Sequence, residues 1–161
     1  DLHRLLELCG PGDVLIIDAM RRPGPSAAGD IKLWRRKQRG AAGVVTDGGL
    51  RDVATMREWG IGLFAAGETN QTMPSHRLPR EERVAVQCGG VLVLPGGYIT
   101  ADDGGLIVVP RDEAADLVAR ALELDALEAA VKAQLEREAV SPGRYYPFSE
   151  AARALLKRGG R

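Results

Sequence analysis

The sequence predicts an α/β domain, because buried-strand patterns alternate with helical patterns and glycine-rich turns separate the two. The chain has 161 residues, 45% of them apolar and 27% charged, which is typical of one globular domain. Lys plus Arg and Asp plus Glu number 22 each, so the formal net charge is zero. Since domains that bind nucleic acid normally carry a basic excess, we expect no nucleic-acid partner.

The first half of the chain predicts strands and helices in turn. A run of branched apolar residues between Asp13 and Asp18 is typical of a strand buried on both faces. A glycine or proline marks most of the boundaries that follow. In order, we predict a helix over 2–8, a strand over 14–17, a loop over 19–28, a helix over 29–39, a strand over 44–46, a helix over 53–59 and a strand over 60–65.

The second half begins with a polar loop over 68–82 and then changes to short β runs. Glycine pairs punctuate runs over 84–87, 91–94, 98–101 and 106–109. A long Ala/Leu/Glu-rich helix over 111–138 follows, and a short final helix ends the chain. We assign residues 1–140 to the α/β domain and residues 141–161 to a C-terminal extension.

Several classes of function lack the residues that they need. Two cysteines cannot form a disulfide scaffold or a four-cysteine zinc site, and two histidines make a histidine-rich metal site improbable. Cys88 follows a predicted strand and is interpreted as a buried thiol, with a nucleophile as the alternative. Neither a Gly-x-Ser-x-Gly elbow nor a phosphate-binding loop is present. No apolar run could span a bilayer, so we expect a cytoplasmic protein without a membrane partner.

Two glycine-containing segments at predicted helix starts carry the candidate chemistry. Asp47-Gly48-Gly49-Leu50-Arg51-Asp52 predicts a glycine turn between a buried strand and a helix. Arg51 offers a planar fork for a carboxylate or a polarised carbonyl, and Asp52 offers a hard oxygen to Mg²⁺ or Mn²⁺. The alternative is that Asp52 caps the helix and Arg51 is solvated. Ala27-Ala28-Gly29-Asp30 precedes the other helix, whose N–H groups can hold an anion.

These segments resemble the RraA-like family, which includes 4-hydroxy-4-methyl-2-oxoglutarate aldolases, oxaloacetate decarboxylases and the regulator of ribonuclease E activity. The resemblance runs from about Gly10 to Glu138. It rests on Gly12 to Asp18, Ala28-Gly29-Asp30, Gly40 to Asp52, Cys88-Gly89-Gly90-Val91, Pro95-Gly96, Asp102-Asp103 and Leu106 to Pro110.

The resemblance implies a swivelling-type β/β/α domain, homotrimers or homohexamers, and a divalent-metal pyruvate site between subunits. Arg51 would contact the pyruvate oxygens and Asp52 would anchor Mg²⁺ or Mn²⁺. Backbone N–H groups of Gly29, Asp30, Ile31 and Lys32 would bind the substrate. The implied function is a metal-dependent lyase that cleaves a small 2-oxo acid through a pyruvate enolate. The alternative is a non-catalytic regulator that binds a protein, as the ribonuclease E inhibitor does.

The sequence departs from the family's pattern in three places. Asp30 stands where glutamate is commoner, and Gly97 and Gly104 stand where aspartate is usual. The family's N-terminal helix and strand find no match in this chain, so we expect a domain without that segment. Any site residue that the segment or a neighbouring subunit contributes is therefore not assigned.

Overall fold

Four parallel strands form the centre of the first unit of the fold, residues 1–110. The computed structural model describes residues 7–73 and 81–159, with side chains to residue 156. The predicted helix over 2–8 lies mostly outside the described residues, as does much of the predicted polar loop. The strands are β1 (Val14–Ile17), β2 (Ser26–Ala28), β3 (Gly43–Leu50) and β4 (Gly62–Glu68).

The long strand β3 organises the sheet. β4 pairs with one edge of β3 along most of its length, whereas the opposite edge is shared by two short strands. β1 pairs with the first four residues of β3, and β2 pairs with its last two. The chain between β1 and β2 therefore leaves the sheet and returns to the same edge. The prediction of one uninterrupted loop over 19–28 was wrong, because that segment contains β2.

Two helices follow strands whose C-terminal ends lie side by side in this sheet. Helix α1 (Asp30–Gln38) follows β2, and helix α2 (Val53–Arg57) follows β3. Their apolar side chains pack on the sheet because a helix next to a parallel sheet must bury one face. The buried cluster consists of Leu15, Ala28, Leu33, Val44, Leu50, Val53 and Met56.

Arg36 is an unusual component of this interior. It lies on α1, three residues after the buried Leu33, and is itself fully buried. Among the described residues, none provides a hydrogen-bond partner for its three guanidinium nitrogens. Burial and, secondly, the charge of Arg39 lower the pKa of Arg36 to about 10. An unpaired buried charge costs several kcal/mol of folding free energy. Arg36 is therefore expected to destabilise the fold, whereas its buried neighbour Leu33 stabilises it.

Two antiparallel hairpins complete the first unit. β5 (Val86–Cys88) pairs with β6 (Val91–Val93), and β7 (Tyr98–Asp102) pairs with β8 (Gly105–Val109). A second apolar cluster joins them to the parallel sheet, with buried members Val45, Cys88 and Val93. These hairpins confirm the change to short β runs that the sequence predicts.

The second unit, residues 111–161, is helical. Helix α3 (Ala114–Arg137) leads through a 3₁₀ turn (Pro142–Arg144) to helix α4 (Glu150–Gly159). Its core contains Leu127, Val131, Tyr145 and Ala152. The residues predicted as a separate extension thus pack against the long helix that was assigned to the α/β domain. No helix in the described part of the chain is long and apolar enough to cross a membrane.

Candidate functional site

The candidate site lies where β2 and β3 end side by side. Ala28 is in register with Leu50, and the N–H of Arg51 donates to the carbonyl of Ala28 at 3.0 Å. In a parallel sheet, the loops that follow the strands lie together, just beyond the C-terminal ends of the strands. Gly29, which follows β2, is therefore brought to Arg51 and Asp52, which follow β3. The sequence predicted that these two loops lie close together. It took β1, and not β2, as the strand that precedes Gly29.

Gly29 borders the two charged side chains directly. A β-carbon on Gly29 would lie 2.8 Å from Asp52 Oδ2 and 3.8 Å from Arg51 Nε. The backbone φ of Gly29 is −136°, which any residue can adopt. Gly29 therefore affects the site through space and not through conformation, because a side chain here would displace the Asp52 carboxylate.

Arg51 and Asp52 form a partly exposed ion pair. Arg51 Nη2 lies 3.5 Å from Asp52 Oδ2, and the two side chains are 36% and 39% exposed. Asp52 has φ 58° and ψ 31°, and its side chain makes no capping hydrogen bond to α2. A left-handed aspartate that precedes a helix without capping it is locally unfavourable. The structure therefore does not support the interpretation of Asp52 as a simple helix cap.

The first turn of α1 provides backbone donors beside this pair. Gly29 occupies the cap position of the helix without a capping side chain, and its carbonyl accepts the N–H of Leu33. The N–H of Ile31 donates to Asp30 Oδ1 at 2.6 Å. The N–H of Ile31, one of the four predicted donors to the substrate, is thus already hydrogen-bonded to a carboxylate of its own chain. A substrate carboxylate at this donor would have to replace that of Asp30. Lys32 belongs to the same turn and is half-buried.

Asp47, which the sequence placed in a glycine turn, lies inside β3 instead. Its buried carboxylate accepts the N–H of Ala19 at 2.7 Å and the N–H of Arg21 at 3.1 Å. The loop needs these anchors because Met20 and Arg21 both have positive φ, which non-glycine residues rarely adopt. Asp47 therefore holds the β1–β2 loop at the gap where neither strand pairs with β3.

The prediction of a glycine turn at Asp47-Gly48-Gly49 was wrong for a steric reason. A β-carbon on Gly48 would lie 2.5 Å from the Ala19 β-carbon, and one on Gly49 would lie 2.3 Å from the Pro23 carbonyl oxygen. The two glycines make room for the loop that crosses the edge of β3. An aspartate that directly follows an apolar run and precedes two glycines is the sequence signal that could have marked this arrangement.

The donor set is compatible with a hard divalent cation that keeps most of its water. Among the described residues no group of three or more His, Cys, Asp or Glu side chains could enclose a metal ion. Mg²⁺ and Mn²⁺ do not require such an enclosure, since Mg²⁺ commonly binds through one or two carboxylates and retains several waters. The half-exposed carboxylate of Asp52 fits that mode of binding.

Cys88 is confirmed as a buried thiol. It lies on β5 and packs in the cluster that contains Val45 and Val93. Burial and then the charge of Asp47 raise the pKa of the Cys88 thiol. A nucleophilic cysteine needs its thiolate form, which this environment disfavours.

The model of the RraA-like family, described as aldolase/RraA, matches residues 1–108, which is more than half of the chain. The chain belongs to the RraA-like family. An RraA-like relative from Halalkalibacterium halodurans carries the provisional name 4-hydroxy-4-methyl-2-oxoglutarate aldolase and is 32% identical over 111 residues. The match covers 69% of this chain and 52% of the relative, so the chain spans about half the length of that protein.

Solved RraA-like structures share the fold. The RNA-processing inhibitor RraA from Thermus thermophilis is 34% identical, with a TM-score of 0.61 over 68% of this chain and 66% of that one. RraAS2 from Streptomyces coelicolor, described as an unusual member of the RNase ES inhibitor RraA family, is 35% identical. Its TM-score is 0.76, over 83% of this chain and 68% of that one. The RraA-like α/β fold predicted from the motifs is thereby confirmed.

Proposed function

We propose that the protein is a divalent-metal-dependent lyase that breaks a C–C bond of a small 2-oxo acid and releases pyruvate. The observation that carries this proposal is the convergence of the Arg51 guanidinium and the Asp52 carboxylate beside the space left by Gly29. A cation and a hard oxygen ligand are then presented together where β2 and β3 end. The provisional aldolase name of the Halalkalibacterium relative agrees with this chemistry.

Arg51 is the residue that would respond to the developing charge. A 2-oxo acid presents a carboxylate oxygen and a carbonyl oxygen side by side, which matches the planar two-point geometry of a guanidinium. When the C–C bond breaks, negative charge moves onto the carbonyl oxygen. Arg51 lowers the barrier because a preorganised positive charge stabilises the transition state more than the ground state.

Asp52 is the proposed ligand for Mg²⁺ or Mn²⁺, and the backbone N–H groups of Gly29, Asp30, Ile31 and Lys32 are the proposed donors to the substrate carboxylate. A divalent cation, when bound, supplies Lewis-acid stabilisation of negative charge on the substrate oxygens. The positive end of α1 adds to this, since unpaired N–H groups and the helix dipole favour an anion.

Oxaloacetate decarboxylation is the simplest reaction of this class. The C3–C4 bond breaks, the C4 carboxylate leaves as carbon dioxide, and the electron pair remains on C3 as the pyruvate enolate. The enolate then takes a proton from water at C3. Aldol cleavage of a 4-hydroxy-2-oxo acid passes through the same enolate, with an aldehyde or ketone as the leaving group.

We further propose that the chain works as a homotrimer or homohexamer. Large apolar side chains are more than half exposed on the two hairpins and on the segment between them, which favours burial against another copy. They are Val91, Leu92, Leu94, Tyr98 and Ile107. Light scattering at micromolar concentration should give at least three times the mass of one chain, whereas a stable monomer would contradict this assembly.

A binding role is the second candidate function. The Thermus and Streptomyces proteins are described as inhibitors of RNA processing or as members of that inhibitor family, and their folds match this one. A regulator of that kind acts through its surface and needs no ion pair beside Gly29. Metal-dependent turnover therefore separates the two candidates.

Pyruvate release from oxaloacetate, followed with and without Mg²⁺, tests the proposed function. We expect enzyme-dependent release above the rate of the metal alone, and its loss after addition of EDTA. Asp52→Asn removes the charge with a residue that tolerates positive φ, so it should abolish the Mg²⁺ stimulation. Asp125→Asn, an exposed position on α3, is the matched control and should behave as the wild type. Absence of enzyme-dependent release would favour the binding role.

A further inference from the structure

Strand β2 contains one residue more than the part of β3 with which it pairs. Ser26 is in register with Gly49, and Ala28 is in register with Leu50, so two steps along β2 correspond to one step along β3. A bulge of this kind bends the strand locally and changes which residues face each other beyond it. The bulge comes directly before Gly29, the residue that borders the candidate site.

The bulge determines which residue lies opposite Arg51. In an unbroken parallel ladder that continues from Ser26 and Gly49, Ala28 would lie opposite Arg51. With the extra residue, Ala28 ends up one position earlier along β3, and Gly29 comes level with Arg51. A β-carbon on Gly29 would lie 3.5 Å from the Arg51 β-carbon, which agrees with this register. The position of Arg51 beside the start of α1 therefore depends on the bulge.

The hydroxyl of Ser26 holds the bulge in place. Ser26 is 3% exposed, and its Oγ donates to the carbonyl of Ala28 at 2.7 Å. The same carbonyl accepts the N–H of Arg51 at 3.0 Å. A carbonyl oxygen has two lone pairs and can accept both bonds. The hydroxyl therefore fixes the orientation of the carbonyl that ties Arg51 to β2.

The backbone of Ser26 is held in turn by the segment that follows β4. The N–H of Ser26 donates to the carbonyl of Gln71 at 3.1 Å, and the N–H of Thr69 donates to the carbonyl of Leu50 at 3.0 Å. The Thr69 hydroxyl donates to the carbonyl of Gly24. This segment thus binds both β3 and the chain that leads into β2. The Ser26 hydroxyl is presented to the bulge from a backbone that is fixed on both sides.

We propose that Ser26 positions Arg51 for the proposed lyase reaction. This inference rests on the proposed function and adds a buried positioning residue that does not contact the substrate. A guanidinium stabilises an enolate best when it already stands where the negative charge develops, and a misplacement of about 1 Å can cost a large part of the rate. Loss of the Ser26 hydroxyl removes one of the two hydrogen bonds described at the Ala28 carbonyl. Arg51 is then held less firmly beside Gly29.

The kinetics of Ser26→Ala on oxaloacetate test this role. The substitution removes one buried oxygen atom and adds no volume. We expect kcat for pyruvate release in saturating Mg²⁺ to fall about tenfold with KM unchanged, because Arg51 then stabilises the transition state less well. A wild-type kcat in Ser26→Ala would overturn the proposal.

Thr46→Val is the matched control for the loss of a buried hydroxyl. The Thr46 hydroxyl is also buried within the sheet, where it donates to the carbonyl of Ile17 and accepts the N–H of Gly48. The variant should have a lower urea midpoint than the wild type, because it leaves these buried groups unpaired, and it should keep the wild-type kcat. A loss of kcat as large as that of Ser26→Ala would show a general effect of the weakened sheet and would overturn the proposal.

A double-mutant cycle shows whether Ser26 acts through Arg51. If it does, Ser26→Ala should lower kcat by less than about twofold in the Arg51→Lys background, because the planar contact that Ser26 aligns is already lost. A structural role that is independent of Arg51 would give the same loss of about tenfold in both backgrounds. That result would overturn the proposal.

Amide hydrogen exchange separates failure of this positioning role from failure of the lyase function. In Ser26→Ala the amide of Arg51 should exchange about tenfold faster than in the wild type. The amide of Gly62 donates to the Ala42 carbonyl at 2.9 Å, and its exchange rate should be unchanged. This outcome would support the positioning of Arg51 by Ser26 even if the wild type released no pyruvate, which would contradict the lyase function alone. An unchanged exchange rate at Arg51 would overturn the role of Ser26 whether or not oxaloacetate is cleaved.

Discussion

The carboxylate of Asp52 lies against the α-carbon of Gly29, where a β-carbon would approach Asp52 Oδ2 to 2.8 Å. The two residues are distant in the sequence and meet because β2 and β3 are parallel neighbours that end together. This contact ties the backbone at the start of α1 to the proposed metal ligand. A change of one carbon atom at Gly29 therefore moves the group on which the proposed chemistry depends.

Gly29→Ala is expected to impair the site and leave the fold intact. The added methyl group would push the Asp52 side chain away from its present position, while the φ of −136° remains allowed for alanine. We expect a higher Mg²⁺ concentration for half-maximal pyruvate release and an unchanged circular dichroism spectrum. Gly67→Ala is the matched control, because a β-carbon there would meet nothing within 4 Å. Equal activity of the two variants would show that Asp52 can move without consequence.

Asp47→Asn is expected to lower the stability of the folded protein. The amide keeps one acceptor but loses the charge that receives the N–H groups of Ala19 and Arg21. The free energy of unfolding in urea should fall by about 1–3 kcal/mol. Asp18→Asn alters an exposed carboxylate that accepts the N–H of Met20 and should cost less. If both variants lost the same free energy of unfolding, the buried Asp47 would contribute no more to stability than the exposed Asp18.

Arg36→Met is expected to stabilise the protein at neutral pH. The lowered pKa of about 10 means that folding disfavours the charged guanidinium, which nevertheless stays protonated at pH 7. The cost is therefore fully present below pH 10 and is relieved as the pH rises through that value. Replacement by an apolar side chain of similar length should add about 1–4 kcal/mol to the free energy of unfolding at pH 7.5. The gain should be smaller at pH 10.5.

Arg35→Met is the control for this substitution, since Arg35 is an exposed neighbour paired with Glu7. Its urea midpoint should stay close to that of the wild type, because exposed ion pairs contribute little. A strong loss of stability in Arg36→Met would reveal an acceptor for the guanidinium in the assembled protein.

Patterns of apolar residues predicted most of the elements of the fold. The runs that became β1, α1, β4 and the two hairpins are bounded by glycine or charged residues. Their apolar spacing did not predict every buried face, since α1 buries Leu33 and Arg36 and leaves Ile31 86% exposed. β2 was missed because Ser26–Ala28 is short and carries no large apolar side chain. It is buried through its position beside β3 and not through its own composition.

The arrangement of the candidate site was predictable where residue chemistry decides it and unpredictable where packing does. Arg51 and Asp52 were selected for their functional groups and stay predicted site residues. The structure brings them beside Gly29, as the glycine-containing motif suggested. Asp47 was read as part of a turn because two glycines follow it, whereas those glycines serve a close contact between loop and strand.

The kinetic effect of Arg51→Lys on oxaloacetate decarboxylation tests the central claim most directly. Lysine keeps one positive charge and loses the planar two-point contact, so kcat in saturating Mg²⁺, corrected for the rate of the metal alone, should fall about 100-fold, or ~2.7 kcal/mol of transition-state stabilisation. A raised KM with unchanged kcat would mean that Arg51 binds the substrate and the transition state equally tightly, and so helps to bind the substrate without stabilising the enolate. If kcat and KM both equalled those of the wild type, Arg51 would have no part in the reaction and the proposed lyase site would be contradicted.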